Sequence, residues 1–184
     1  MKKILSATAA ALLLALAVPA TAGAAEEPTP ITRSCPGPNQ YYGDPNDPTK
    51  FWECSNGVAY RFDCPAGLHW DTKLLTCNYP EQVPFGRSTT KAGTAHLTLL
   101  PLGLANLNAH FEPPEGIGPW ADVTFTAADG TVLCTAQADS HGNASCDADP
   151  SVLGLVGDLL TGYIATYAGE AAEPSSGHGT IALL

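Results

Sequence analysis

The six cysteines of this chain are the feature that most limits how it can fold. They stand at positions 35, 54, 64, 77, 134 and 146, with no CxxC pair and no histidine at zinc-finger spacing. An even number of cysteines in an exported protein favours disulfides over a metal site. We therefore predict three disulfides, no metal ion and no cofactor, on the condition that the chain is exported.

The N-terminus has the pattern of a secretory signal peptide. Lys2 and Lys3 precede an apolar run that extends to Val18, and small residues with Ala-x-Ala spacing follow. This run is shorter than the ~20 residues that a membrane-spanning helix needs. We predict a signal peptide over residues 1–24 and a secreted, extracellular protein that is not held by a membrane.

The charge distribution excludes two classes of partner. The formal net charge is −10, and residues 94–184 hold ten Asp and Glu but no Lys or Arg. Nucleic acids and anionic membrane surfaces bind proteins through cationic side chains, so we expect neither as a partner. Neutral sugars stay compatible, because hydrogen bonds and flat apolar faces recognise them.

Composition divides the chain into two modules. Residues 35–83 are rich in cysteine, aromatic and turn residues, residues 84–94 have the composition of a linker, and residues 95–184 alternate small apolar and polar residues. The polar residues 26–34 are expected to be disordered or extended. A module of about 50 residues needs covalent staples, and its four cysteines allow three pairings.

The dipeptide Asn56-Gly57 predicts a β-hairpin in the first module. It lies between two alternating segments rich in β-forming residues, which is the strongest short-range hairpin signal. A two-residue turn sets Ser55 opposite Val58 and Phe51 opposite Phe62. Trp52 then shares the opposite face with Arg61.

Residues 35–83 resemble the peritrophin-A type chitin-binding module, carbohydrate-binding module family fourteen. The resemblance is carried by "KFWEC", "SNG", "CPAGLHWD" and "CNYPEQV", and by gaps of nine and twelve residues between the last three cysteines of the module. The family has six cysteines there and this chain has four, with Pro48 where the second is expected. The two absent cysteines are bonded to each other in the family, so the resemblance implies the pairs Cys35–Cys54 and Cys64–Cys77. Because that third disulfide is absent, the resemblance does not predict whether the loop of residues 45–49 is rigid.

The resemblance implies that the module binds chitin or N-acetylglucosamine oligomers. Sugar sites combine exposed aromatic faces with short polar side chains. Phe51 and Phe62 lack a polar tip and are predicted to be core, and Trp70 suits either the core or a sugar platform. The predicted ligand-binding residues are Trp52, Tyr60, His69, Trp70, Asp71, Asn78 and Tyr79.

The second module is predicted to be an immunoglobulin-like β-sandwich. Residues 122–146 indicate strand, turn, strand, turn and strand, and pairing centred on Ser140 sets Cys134 opposite Cys146. The alternation places Val132 and Cys134 inward. Residues 151–160 favour a short helix, and residues 161–170 and 178–184 favour two closing strands. The pattern resembles bacterial immunoglobulin-like modules, which are mostly spacers or adhesion units, and it assigns no partner to this module.

No catalytic residues are predicted. The acidic residues are scattered, whereas a glycosidase needs two carboxylates across a cleft, and no nucleophile motif or metal-ligand spacing is present. The whole sequence therefore predicts a mainly β protein, a small disulfide-stapled β-hairpin module joined to an immunoglobulin-like β-sandwich. Its predicted function is non-catalytic chitin binding. One alternative is a structural or adhesion protein whose first module no longer binds sugar, and another is an accessory subunit that delivers an enzyme to chitin.

Overall fold

The computed structural model describes residues 31–38, 40–99, 102–148 and 161–183. The predicted signal peptide and the predicted short helix lie outside the described residues. The described residues are mainly β, as predicted, and contain a 3₁₀ turn at Pro80–Gln82 but no α-helix. Among them, no helix is long and apolar enough to cross a membrane.

The first module is built on a four-stranded antiparallel sheet of β1 (Thr32–Ser34), β2 (Tyr41–Gly43), β3 (Lys50–Ser55) and β4 (Val58–Asp63). Their order in the sheet is β1-β4-β3-β2. Asn56 and Gly57 form the central turn with φ of 52° and 80°, a backbone that favours Asn and Gly. The pairing of Ser55 with Val58 and of Phe51 with Phe62 confirms the predicted register.

A second hairpin completes this module. Strands β5 (His69–Asp71) and β6 (Thr76–Asn78) pair with each other, and the Trp70 amide donates to the Pro48 carbonyl at 2.8 Å. Disulfides join Cys35 to Cys54 and Cys64 to Cys77, the pairs that the family resemblance implies.

The second module consists of two sheets that share one hydrophobic core. Their strands are β7 (Thr89–Ala92), β8 (Thr94–Leu99), β9 (Leu102–Ala105), β10 (Leu107–Glu112), β11 (Asp122–Ala127), β12 (Val132–Gln137), β13 (Asn143–Cys146), β14 (Tyr163–Tyr167) and β15 (Ser175–Leu183). The larger sheet has the strand order β12-β11-β14-β15-β8-β9 and the smaller sheet has the order β13-β10-β7. Leu97 and Phe125 of the larger sheet and Leu107 of the smaller sheet are fully buried in that core.

The third disulfide joins Cys134 to Cys146, as predicted. The predicted pairing of its two strands is wrong, because β12 borders the larger sheet and β13 belongs to the smaller one. The turn between them is held by the Asp139 carboxylate, which accepts from the amides of His141 and Asn143. The disulfide therefore ties one sheet to the other across the core. Val132 is exposed and not inward, because the register shifts between Phe125 and Thr126.

The predicted linker over residues 84–94 is not a loop throughout. Strand β7 pairs with β10, with Thr90 opposite Phe111 and Ala92 opposite Ala109, and β8 begins at Thr94. The pairing is made by backbone groups, so the loop-like composition of this stretch does not reveal it. The sheets of the second module therefore begin before residue 95.

The two modules are joined by hydrogen bonds as well as by the chain. Asn46 Nδ2 donates to the Trp120 carbonyl at 2.9 Å, and its Oδ1 accepts from the Asp122 amide at 2.7 Å. The Tyr167 hydroxyl donates to the Pro45 carbonyl in a buried position. The second module thus holds Pro45 and Asn46, the first two residues of the loop whose rigidity the absent disulfide leaves open.

Candidate functional site

One face of the four-stranded sheet is covered by the second module. Trp52 is 2% exposed, and its ring lies 4.9 Å from that of Trp120, which also contacts Tyr42 at 6.1 Å between centroids. We call this the covered face, formed by Tyr42, Trp52, Cys54, Ala59 and Arg61. The prediction that Trp52 offers a half-exposed ring to sugar is wrong, because Trp120 lies against it.

A buried carboxylate anchors the covered face. Asp44 Oδ2 accepts from Trp52 Nε1 at 2.9 Å and from Arg61 Nε at 2.8 Å. The guanidinium carbons of Arg33 and Arg61 lie 5.1 and 5.8 Å from the centroid of the Trp52 ring, within the range of cation–π attraction. A buried charge needs a paired, hydrogen-bonded partner, and these contacts provide one. Asp44 is therefore a structural carboxylate.

The opposite face of the same sheet carries aromatic rings on its open side. We call it the aromatic face, formed by Tyr41, Phe51, Tyr60 and Phe62. Phe62 is 44% exposed, so its predicted place in the core is wrong, and Phe51 and Tyr60 are half-buried. Because residues two apart on a strand share a face, the Asn-Gly register brings these rings together.

Three rings on this side form a stack. Phe51 lies between Phe62 at 5.6 Å and Trp70 at 4.2 Å, with interplanar angles of 23° and 14°. The inner ring is covered on both sides, so Phe62 is the member of the stack that can present a face to a ligand. Trp70 is 6% exposed and forms the floor of the stack, which answers the open choice between core and platform in favour of the core.

Asp71 holds the turn of the second hairpin. Its carboxylate, 2% exposed, accepts from the amides of Lys73 and Leu74 and from Asn78 Nδ2. Burial raises the pKa of the Asp71 carboxyl, but the hydrogen bonds from Leu74, Lys73 and Asn78 outweigh it and bring the pKa below its ordinary value. The structure therefore places Asp71 under the hairpin, where its oxygens are already engaged.

The end of this hairpin presents groups suited to a ligand. Tyr79 is 60% exposed, and His69 lies opposite Asn78 in the strand register. Asn78 Oδ1 accepts from the Tyr79 amide, which fixes the backbone at the base of the exposed ring. We call His69, Asn78 and Tyr79 the hairpin rim.

A cavity of about 140 Å³ lies beside the hairpin rim, where the two modules meet. We call it the junction cavity. Pro80, the residue after Tyr79, lines it, as do His69 and Trp70 from the first module and Ile117 and Ala171 from the second. The Trp70 Nε1 atom is buried and has no hydrogen-bond partner.

The sequence prediction overlooked two contributors to these surfaces. Tyr41 belongs to the aromatic face, where it contacts Phe51 and Trp70 at 6.3 and 5.9 Å. The adjacent pair Tyr41-Tyr42 could have indicated this position, because neighbouring residues of a strand point to opposite faces and one of the two rings must lie on each face. Trp120 covers Trp52, and an isolated Trp in the Gly-Pro-rich stretch 116–120 was its only sequence signal.

The described residues offer no group of three or more His, Cys, Asp or Glu side chains that could hold a metal ion. The groups available on the open side of the first module include aromatic rings, an amide, an imidazole, hydroxyls and the carboxylate of Glu53, which lies opposite Tyr41 and Tyr60 in the strand register. Such a surface can stack on a flat apolar ring and exchange hydrogen bonds with its substituents.

Comparison with known proteins assigns the first module. The family model of the Chitin binding Peritrophin-A domain matches residues 35–84. The chain is similar to the Major mite allergen Der p 23 of Dermatophagoides pteronyssinus, with 44% identity over 43 residues, which are 23% of this chain and 48% of the allergen. It is also similar to a Probable endochitinase of Caenorhabditis elegans, with 39% identity over 41 residues, which are 22% of this chain and 7% of that protein. The chain thus spans less than half the length of each relative, and no solved structure matches it.

Proposed function

We propose that the chain, whose residues 35–84 are a Peritrophin-A chitin-binding domain, is a secreted, non-catalytic protein that binds chitin. The family match over this whole module is the observation that carries the proposal. Modest affinity is expected from a shallow open surface, in the micromolar to millimolar range, or about 4–8 kcal/mol.

The geometry supports sugar contact at two places. Tyr79 is the most exposed ring of the hairpin rim, with His69 and Asn78 beside it to exchange hydrogen bonds. Phe62 presents the outer ring of the aromatic stack, and Tyr60 lies on the same face. Trp52, Trp70 and Asp71 are buried, so their proposed role is to hold the exposed groups in position and not to contact the sugar.

The proposal of a non-catalytic role rests on how the buried carboxylates are used. Asp44 is bound by Trp52 and Arg61, and Asp71 by the amides of its turn. Carboxylates engaged in this way hold the fold together, whereas a glycosidase needs two carboxylates free to act across a sugar-sized cleft. Incubation with chitin oligomers should release no shorter products, as followed by chromatography.

Secretion is supported by the three disulfides, which fit an oxidising compartment. We further propose that the second module is an immunoglobulin-like sandwich that supports the chitin-binding module. Two sheets around one core, tied by Cys134–Cys146, favour that architecture. An experimental structure and the N-terminal sequence of the exported protein test these two points.

Retention on insoluble chitin, with cellulose as the control matrix, tests the main proposal. The protein should be retained on chitin alone, and Tyr79→Ala should weaken binding by ~1–3 kcal/mol, as interface aromatics do. Val132→Ala is the matched control, because Val132 is an exposed apolar side chain of the second module. It should leave retention unchanged.

The same samples should be melted to separate binding from folding. Tyr79→Ala is expected to keep its melting temperature, since an exposed ring buries little apolar area. A wild-type protein that passes through chitin would favour the structural or adhesion alternative, in which the module keeps the fold without the sugar.

A further inference from the structure

Among the residues of β1 to β4, Glu53 is the only charged one on the open side of the sheet. Alternate residues of a strand share a face, so Glu53 lies on the same side as Phe51 and near the middle of β3. The other residues that these strands place on this side are neutral: Thr32, Ser34, Tyr41, Gly43, Phe51, Ser55, Val58, Tyr60 and Phe62. The four strands thus give this side one negative charge and no positive one.

Two tyrosine rings flank the Glu53 carboxylate. Tyr41 of β2 and Tyr60 of β4 lie directly opposite Glu53 in the strand register, one on each side. Residues paired in this way have Cβ atoms about 4.5–5.5 Å apart, so both rings stand beside the Glu53 side chain. All three residues are half-buried, which leaves part of each open to a ligand. We call Tyr41, Glu53 and Tyr60 the amine site, for the chemistry derived below.

The Glu53 carboxylate has no partner within the part of the chain that the structure describes. It forms neither a hydrogen bond nor an ion pair there. Lys50 and Arg61, the cationic residues of the same two strands, lie on the other side of the sheet and are paired with Asp63 and Asp44. No Glu53 oxygen is among the buried unpartnered atoms of the described residues, so a ligand can reach both oxygens.

A carboxylate between two aromatic rings suits a small organic cation. An ionised carboxylate only accepts hydrogen bonds, whereas an ammonium group only donates them, up to three at once. The face of a tyrosine ring also attracts a cation that lies within about 6 Å of its centroid. An acetamido group gains less here, because it is neutral and its carbonyl oxygen is a further acceptor.

The charge of the whole chain acts in the same direction. The formal net charge is −10, and residues 94–184 hold ten Asp and Glu without a Lys or Arg. A field of this sign raises the local concentration of a cationic ligand and speeds its association. A fully acetylated chitin chain is neutral and gains nothing from this field.

We propose that the amine site binds the protonated amino group of a glucosamine unit, so that the protein prefers partly deacetylated chitin to the fully acetylated polymer. The inference rests on the proposed function, which brings the sugar polymer to the open side of the first module. Acetylated units of the same polymer contact Phe62 and Tyr79, the rings proposed above to meet sugar. Glu53 then selects among chitins by their content of free amine.

Calorimetric titration of the full-length protein with two matched oligomers tests the site. One is a partly deacetylated chitin oligomer, and the other is the same oligomer after chemical re-acetylation of its amines. A mildly acidic buffer keeps the sugar amine protonated while carboxylates stay ionised, and physiological salt limits attraction at a distance. The wild-type protein should bind the amine-bearing oligomer about three- to tenfold more tightly, the effect of one half-exposed ion pair with a cation–π contact.

Glu53→Gln and Asp129→Asn form the matched pair of variants. Each turns a carboxylate into an amide and changes the net charge by the same amount. Asp129 lies in the exposed turn after β11, at the end of that strand away from Asp122, whose amide binds Asn46 of the first module. A side-chain amide oxygen there can still accept from the Thr131 backbone N–H, as the carboxylate does. Glu53→Gln should remove most of the preference for the amine, and Asp129→Asn should keep it.

Three results would overturn the amine site. One is equal affinity of the wild-type protein for the two oligomers, and another is a preference that persists in folded Glu53→Gln. The third is binding of a trilysine peptide as tightly as the amine-bearing oligomer, which would replace the sugar by a cationic peptide. If Glu53→Gln does not fold, Glu53→Thr takes its place, because threonine is a good strand former.

The outcomes also separate this inference from the proposed function. Equal binding of both oligomers keeps the chitin-binding function and overturns the amine site alone. Binding of the amine-bearing oligomer only, with loss in Glu53→Gln, supports the amine site and counts against binding of fully acetylated chitin. Binding of neither oligomer overturns both.

Discussion

Both faces of the four-stranded sheet carry aromatic side chains, two on the covered face and four on the aromatic face, but their surroundings are opposite. On the covered face, Trp52 meets Trp120 and is sealed, whereas on the aromatic face Phe62 keeps 44% of its surface open. Both residues lie in the same hairpin, one strand apart. The difference comes from the partner surface and not from the hairpin, so an aromatic residue's role here depends on residues far away in the chain.

The largest effect should come from removing the cover. Trp120→Ala deletes a ring that is 2% exposed and packs on both Trp52 and Tyr42. We expect a loss of about 3–5 kcal/mol in the free energy of unfolding, the range for large core truncations. Denaturant unfolding followed by tryptophan fluorescence measures it. A loss below that of Phe62→Ala would contradict the contrast between the faces.

A smaller effect should come from one hydrogen bond at the same junction. Tyr167→Phe removes the hydroxyl that donates to the Pro45 carbonyl and accepts from the Ala171 amide. Leaving buried groups unpaired should cost about 1–3 kcal/mol of stability. Thermal unfolding checks this, with Tyr60→Phe as the control because that ring is on the aromatic face. Equal losses of stability in the two variants would contradict a stabilising role for the hydrogen bond between Tyr167 and Pro45.

On the aromatic face, truncation of a ring should cost little stability and should weaken chitin binding. Phe62→Ala removes a half-exposed ring whose stacking partner is Phe51, so we expect a stability loss of about 1 kcal/mol, near the centre of measured point mutations. Chitin affinity should fall measurably in the same variant, as titration calorimetry would record. A loss in stability as large as that of Trp120→Ala would move Phe62 back into the core.

The smallest expected effect is a loss of folding stability at low pH. The folded-state pKa of the Asp71 carboxyl lies below its unfolded value, so its contribution to stability is present above the unfolded value and is lost as pH falls through the folded one. Melting temperatures of wild type and Asp71→Asn should therefore converge as the pH falls below 4. Their difference isolates Asp71 from the other carboxylates, and a gap that stays constant with pH would refute this assignment.

Local signals in the sequence predicted local structure well. Asn56-Gly57 gave the correct register because the turn needs positive φ at both positions, and the cysteine spacing of the family gave the correct pairs within the first module. The strand segments of residues 122–146 were also correct.

Two of the errors arose where a distant residue decides the outcome. The burial of Trp52 depends on Trp120, and the strand at Thr89–Ala92 depends on backbone pairing with β10. The bridge Cys134–Cys146 was correct although its strands belong to different sheets, since both arrangements bring the two residues close. Side-chain alternation alone contains no information about such partners. The sugar-binding roles of Tyr60, His69, Asn78 and Tyr79 stay predictions.

The hydrogen bonds of Pro45 and Asn46 to the second module have a consequence for how the chain can be divided. The family match ends at residue 84, which suggests a portable cassette that could be cut out as an affinity tag. A fragment ending there would leave Trp52 bare and residues 45–49 without their anchors. It should aggregate, or it should need the absent pair of cysteines restored before it becomes transferable. We therefore expect the unit that folds in this protein to be larger than the segment that the family model matches.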